Sequence, residues 1–337
     1  MLRLVQKPFY EVGKLSPSKL EEIILKHIKN RNSSVNPSIG VDFGIHGSDL
    51  ILTTDPLSYH RPLGTEFGSK FGFNVILTDF LTSGNLPEFL TATLLFPTDV
   101  TDREIELYWK TFTNQCYEWN IDIVTGHTGR YPSASLPLIG SVTMGGHAHN
   151  TVFSYGRVQE GDSLLIMGYP GIQAAVILSH YGKIPPGMED TAGKLVSLKD
   201  MLLVTDHMRF FIENFSHNEI RFMHDVTEGG LYGALSEIAI ASSHNLNIES
   251  KKIPENEYIT AYLSSLLLDR WSVTSEGCMV MGVQSFAAEE IIASMNSKGI
   301  PAAIVGTFGK AGSSSVIMDG KVMEPEWKDP YWGALKK

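Results

Sequence analysis

The chain has 337 residues, 43% of them hydrophobic and 19% charged, and a formal net charge of −10. That length accommodates two domains of ordinary size, and the apolar content excludes a disordered chain. The negative balance, with no Lys/Arg-rich block and no apolar run of membrane-spanning length, argues against nucleic acid or a bilayer as partner.

In chain order, Met1–Tyr10 holds too short an apolar stretch for a signal peptide, so the expected location is cytoplasmic. Ser16-Pro17 starts a helix with Leu20, Ile23, Ile24 and Ile28 on one face, and Asn32–Ser38 is a turn-rich break. Ile39–Phe43 and Asp49–Thr54 read as strands around a Gly44–Ser48 turn, and Thr65–Leu81 as a helix stopped by Ser83-Gly84-Asn85. After a strand at Leu90–Phe96, Thr101-Asp102-Arg103-Glu104 is a capping box, opening a helix through Tyr108, Phe112 and Cys116. Ile121–Thr125 reads as a short buried strand ending at Gly126-His127-Thr128-Gly129, followed by strands at Leu138–Met144 and Thr151–Tyr155.

The second half restarts the alternation with a strand at Ser163–Met167 and a helix at Ile172–Tyr181. A Gly/Pro-rich loop at Gly182–Gly193 and a helix at Leu198–Phe215 follow. Beyond Asp225, Leu231, Leu235, Ile238 and Ala239 mark an amphipathic helix. Glu257–Leu268 reads as a helix, Met279–Val283 as a strand, Ser285 as the cap of a helix, and Ala303–Thr307 and Ser314–Met318 as strands. The polar break Gly156–Gly161 sets the expected boundary. The segments are a helical opening at 1–36, domains at 37–157 and 158–325, and a tail at 326–337. Cys116 and Cys278 read as small buried apolar residues rather than a disulfide.

The residues that carry chemistry sit at element ends. Leu52-Thr53-Thr54-Asp55-Pro56 closes one strand, and Met223-His224-Asp225-Val226-Thr227-Glu228-Gly229-Gly230-Leu231 runs from another into a helix. Carboxylates at strand ends suit a hard cation, and glycines ahead of a helix offer N–H groups to an anion. Together they suggest a magnesium–nucleotide site. Asp79 adds a carboxylate inside an apolar helix, where burial without a partner is costly.

Thr53-Thr54-Asp55, Leu77-Thr78-Asp79 with Ser83-Gly84, Val124-Thr125-Gly126-His127-Thr128 and Asp225–Leu231, in that order, resemble the aminoimidazole-ribonucleotide (AIR) synthase-like superfamily. The resemblance is to its HypE-like branch and covers roughly residues 10 to 325. It implies a two-domain α/β (α+β) fold, with an N-terminal sheet domain that dimerises into a shared barrel and a C-terminal α/β domain. It implies ATP and Mg²⁺ as cofactors, a homodimer, and phosphoryl transfer to a small-molecule acceptor through an amide, carboxylate or carbonyl oxygen. Carried onto this sequence, Asp42, Asp55 and Asp79 hold the metal. Thr54, Asp55, Asp79, Gly126, His127, Thr128, Thr227, Gly229 and Gly230 meet the nucleotide, and Lys14 and Asp225 take the catalytic roles.

Some features depart from the branch. There is no cysteine after Cys278, where HypE ends in a cysteine that carries the carbamoyl group, so that reaction on itself is not expected. His127 stands where relatives carry an acidic residue, and Glu228 where they carry arginine. These changes sustain a rival expectation, a non-catalytic nucleotide-binding regulatory or maturation subunit. A third, a histidine-metal hydrolase, would use the His147-Ala148-His149 pair with His127 or His224.

Overall fold

The computed structural model describes residues 12–215, 217–325 and 327–336. The reading of Met1–Tyr10 lies outside them. After the short helix α1 (Pro17–Ile23), strands β1 (Ser33–Val35), β2 (Gly44–His46), β3 (Leu50–Ser58), β4 (Phe89–Phe96), β5 (Asp122–Arg130) and β6 (Leu138–His147) form a six-stranded sheet ordered β1-β2-β3-β6-β4-β5. Every pairing is antiparallel except β4 with β5, which are joined by a crossover through α3 (Asp102–Glu118). The Thr101/Glu104 capping box starts α3 as the sequence predicts. Helix α2 (Thr65–Leu81) is apolar nearly all round because it is buried on several sides.

The second sheet holds β7 (Ser163–Met167), β8 (Ile220–Asp225), β9 (His244–Ile248), β10 (Met279–Val283), β11 (Ala302–Ala311), β12 (Val316–Met318) and β13 (Lys321–Val322), ordered β13-β12-β9-β11-β7-β10-β8. Its helices are α4 (Ile172–His180), α5 (Glu189–Val196), α6 (Thr205–Asn214), α7 (Gly230–Ser242), α8 (Glu257–Ser265), α9 (Ser285–Ser297) and α10 (Tyr331–Lys336). The strand period of two divides the sheet between two cores. Leu165, Met167, Met223 and Met281 face a core shared with α2 and the first sheet, and Leu164, Ile166, Phe222 and Val280 face α7. The two sheets thus meet across α2, which brings residues of both halves to one seam.

Several expectations change. Ile39–Phe43 is a loop, because Gly40 turns the chain at φ +74, and the expected turn at Gly44–Ser48 contains β2 instead. Thr151–Tyr155 makes no ladder, since Phe153 N–H bonds Ser83 O and Ser154 N–H bonds Arg221 O, one on each half. The helix expected over Leu198–Phe215 breaks before α6, where Asn74 takes over the backbone: its Nδ2 donates to Leu202 O (3.1 Å) and its Oδ1 accepts from Thr205 N–H (3.2 Å). The expected loop at Gly182–Gly193 gives way to α5, which begins at Glu189 and buries Ala192 and Leu195. Ser285 caps no helix, and its hydroxyl donates to Gly161 O. The strand expected to end at Thr125 continues to Arg130 and is exposed rather than buried, so Gly126-His127-Thr128 lies within an edge strand.

Asp162, just ahead of β7, and Arg221 on β8 form a buried pair, Nε to Oδ2 2.8 Å and Nη2 to Oδ1 3.4 Å, with side chains 8% and 10% exposed. Arg221→Ala leaves that carboxylate buried without its cation and should cost about 3–5 kcal/mol in urea unfolding. A loss below 1 kcal/mol would show the pair to be incidental.

Candidate functional site

Carboxylates from both halves meet at the seam. Asp42 lies in the loop before β2, held by Thr53 Oγ1 donating to Asp42 O at 2.7 Å. Asp55 sits on the inward face of β3 and Asp79 in the last turn of α2, while Asp225 ends β8, Glu237 rides on α7 and Glu276 precedes β10. Asp42, His224 and Asp225 each offer a ligand atom within 4.8 Å of the others, the only such trio among the described residues.

The carboxylates of the set perturb one another. Burial, then repulsion from Asp225 and Asp42, pushes the Asp55 carboxyl up to about 7. Burial and Asp42 push Asp225 up to about 6. Asp79 is driven well above the usual carboxylate range by burial and by Asp225, Asp55 and Asp42, and Glu276 likewise by burial and Asp225. Carboxylates that raise one another in this way leave room for positive charge.

Two cations of the chain answer part of it. Burial would neutralise His224, yet Asp42 and Glu237 outweigh it and hold the imidazole up to about 10. Its Nδ1 bonds the Tyr155 hydroxyl at 2.8 Å and lies 3.4 Å from Asp42 Oδ2, and its Nε2 lies 3.3 Å from Glu237 Oε2. Lys14 Nζ reaches Glu237 Oε1 at 3.1 Å. Burial lowers its ammonium, but Glu237, Asp42 and Asp225 prevail and raise it. Glu228 accepts the Lys14 backbone N–H and so pins the N-terminal segment here.

Apart from His224, the donor set is made of carboxylate oxygens from several elements, which suit a hard divalent cation. Glu276 supports the fit. Its Oε1 accepts from Asn74 Nδ2 (2.8 Å) and Thr78 Oγ1 (3.2 Å), while the buried Oε2 has no hydrogen-bond partner among the described residues. Beside Asp42 opens a cavity of about 260 Å³, lined in part by Phe43, Phe153, Tyr155, Phe222 and Met223. A larger hollow of about 350 Å³ around Asn247, Glu249, Lys252, Gly306 and Asp319 shares no residue with the carboxylate set.

Of the residues singled out in the sequence, Lys14, Asp42, Asp55, Asp79 and Asp225 converge. Thr54 points to the opposite face of β3 from Asp55 and bonds Thr143 Oγ1 at 2.8 Å. Gly126 lies in the Asp55 row but beyond Val142 and Ala92, three strands or roughly 14 Å away. His127 and Thr128 follow it on that edge, and His127 Nε2 bonds the Tyr131 hydroxyl at 2.5 Å. Thr54, Gly126, His127 and Thr128 therefore stand apart from the carboxylates in this chain. His147 and His149 both bind Glu88, at 2.9 Å to opposite oxygens, and join neither His127 nor His224.

Thr227 O accepts Gly230 N–H at 3.0 Å, and Gly229 N–H donates to Asp329 Oδ2 at 3.1 Å. The two glycines differ. A Cβ on Gly230 (φ +60) would stand 2.6–2.8 Å from backbone atoms of Trp271 and Val273, whereas one on Gly229 (φ +84) meets nothing nearer than 3.6 Å. Gly230→Ala should cost about 3 kcal/mol or more in unfolding, and Gly229→Ala about 1–2 kcal/mol from its φ alone. Equal costs would contradict this division.

Sequence reading missed Glu237, Glu276 and Asp329. A carboxylate on the apolar face of α7, and Ser275-Glu276-Gly277 immediately ahead of an apolar strand, were available signals. Asp329 had none, because the tail shows no periodicity.

A family model described as "AIR synthase related protein, C-terminal domain" matches residues 159–319. A putative hydrogenase expression/formation protein of Methanocaldococcus jannaschii is 24% identical over 292 residues, 83% of each chain. Carbamoyl dehydratase HypE of Escherichia coli is 24% identical over 232 residues, 68% of this chain and 66% of that one. A crystal structure of the hydrogenase maturation protein HypE in complex with ATP superposes with a TM-score of 0.69 at 21% identity, over 94% of this chain and 96% of the other.

Proposed function

Because the chain belongs to the AIR synthase-like superfamily, in its HypE-like branch, we propose that it is an ATP- and Mg²⁺-dependent enzyme that transfers the γ-phosphoryl group to an oxygen of a small metabolite. The observation that carries this reading is the convergence of Asp42, Asp55 and Asp79 with Asp225 and Glu276 on one seam.

Asp42 and Asp225, which offer ligand atoms within 4.8 Å of each other, would hold the cation together with Asp55 and Asp79. When bound, Mg²⁺ neutralises charge on the phosphates and on the departing ADP. Lys14 can shift its ammonium from Glu237 to a phosphate oxygen, adding charge where it develops. His224 holds Asp42 and Glu237 on either side of its ring and so would position Asp42 for a bound cation. The acceptor oxygen forms a bond to the γ-phosphorus as the bond to the β,γ-bridging oxygen breaks, and ADP leaves. No nucleophilic side chain is needed, so the chain acts by positioning and charge. The 260 Å³ cavity beside Asp42 is of a size for a small acceptor, which on this reading carries an amide, carboxylate or carbonyl oxygen.

We also propose a homodimer through the uncovered edge of the first sheet. Strand β5 exposes Ile123 and Val124 there, and Val124→Asp should yield monomers in light scattering.

Gly126-His127-Thr128 lying off the carboxylate set favours the second reading, a non-catalytic nucleotide-binding subunit. Incubation with ATP, Mg²⁺ and candidate amides or carboxylates separates the two. ADP release that depends on the acceptor supports the enzyme, and nucleotide binding with no ADP release across the series overturns it.

A further inference from the structure

The C-terminal segment, outside the 159–319 span of the family model, returns to the turn that opens α7. Asp329 uses both carboxylate oxygens there: Oδ2 accepts Gly229 N–H at 3.1 Å and Oδ1 accepts Tyr331 N–H at 2.9 Å. An anion therefore already sits on the backbone donor that a phosphate would need. Tyr331, only 2% exposed, anchors the segment among the side chains of α4 and α8.

The anchoring is incomplete. The Tyr331 hydroxyl and Trp332 Nε1 are buried without a hydrogen-bond partner among the described residues. The N-terminal segment closes the other side: a Cβ on Gly13 would lie 2.7 Å from Glu228 Oε2 and 3.1 Å from Trp332 Nε1. Gly13-Lys14 and the segment from Asp329 to Trp332 thus meet over the Gly229 turn, one bringing Lys14 and the other a carboxylate.

We propose that the Asp329–Leu335 segment is an autoinhibitory strap whose carboxylate occupies the phosphate seat at Gly229 and which a bound nucleotide displaces. The inference rests on reading that turn as a phosphate seat. One N–H cannot serve a carboxylate and a phosphate together, and the two anions repel. Apparent nucleotide affinity is then set by the fraction of molecules with the strap open.

The test uses the full chain, titrated calorimetrically with a non-hydrolysable ATP analogue and Mg²⁺. Asp329→Asn keeps the shape and removes the charge, and should bind about 10-fold more tightly or better. Tyr331→Ala unseats the strap without touching the carboxylate and should shift affinity the same way. In the wild type, ligand should speed hydrogen exchange at residues 331–336. Equal affinity in all three proteins overturns the strap and leaves the nucleotide reading standing. Weaker affinity in Asp329→Asn overturns it too, by making Asp329 part of the ligand site. Binding by none of them overturns the nucleotide reading, and the strap with it.

Discussion

Asp55→Asn should abolish Mg²⁺-dependent turnover, lowering kcat/KM on the order of 10³-fold, while the metal-free protein melts at a higher temperature than wild type. Both effects have one origin. Asp55 is half-buried beside Asp225 and Asp42, so its charge is unfavourable until a cation arrives. Asparagine keeps the volume and removes the repulsion, a gain of roughly 1–3 kcal/mol, or a few degrees in Tm for a chain of this size. Assays across an Mg²⁺ series, with calorimetric melts in chelator, read the two effects separately. A variant that is less stable and still fully active would mean that Asp55 merely caps the end of its strand.

The metal-free protein should also lose stability as pH rises from about 4 to about 7. Asp55 near 7, and Asp225 and Asp329 near 6, are all held above the ordinary carboxylate value, chiefly by burial. Between the unfolded and folded values the native state binds more protons. The stability they contribute is therefore complete below about pH 4 and is lost through pH 7. For Asp55 alone the span corresponds to about 4 kcal/mol, and because the carboxylates titrate as a set the individual contributions do not add. His224, raised to about 10, extends the fall above pH 6.5. Glu237, held at about 2 because its partners His224 and Lys14 outweigh burial, acts in the opposite sense, but only below pH 4.5. Mg²⁺ takes up the carboxylate charge, so it should raise Tm much more at pH 8 than at pH 5. A flat metal-free profile, or an equal Mg²⁺ effect at both values, would contradict the shared-repulsion account.

Much of this was legible in the residues themselves. The capping box fixed α3, and the alternation of apolar runs located β4, β7 and β10. Asp55 and Asp225 stood out as carboxylates in strand-end motifs, and Asp79 as a charge inside an apolar helix. What escaped was long-range. Asn74 breaks a helix more than a hundred residues later through its side-chain amide, which no local pattern encodes. Gly126-His127-Thr128 was expected to end its strand, yet pairing with β4 keeps it extended to Arg130. The contact of Glu228 with the Lys14 backbone N–H, 214 residues away, is likewise invisible to local pattern. Asp329 became visible only once the tail was placed against α7.

The central claim is that carboxylates of both halves share one divalent ion with a nucleotide. Crystals grown with Mn²⁺ and a non-hydrolysable ATP analogue test it directly, through the anomalous signal of the metal. The account predicts a peak within coordination distance of Asp55 and Asp225, with the terminal phosphate beside it. A peak at Glu88, His147 and His149 instead, or nucleotide bound with no metal at the Asp55–Asp225 seam, would contradict it.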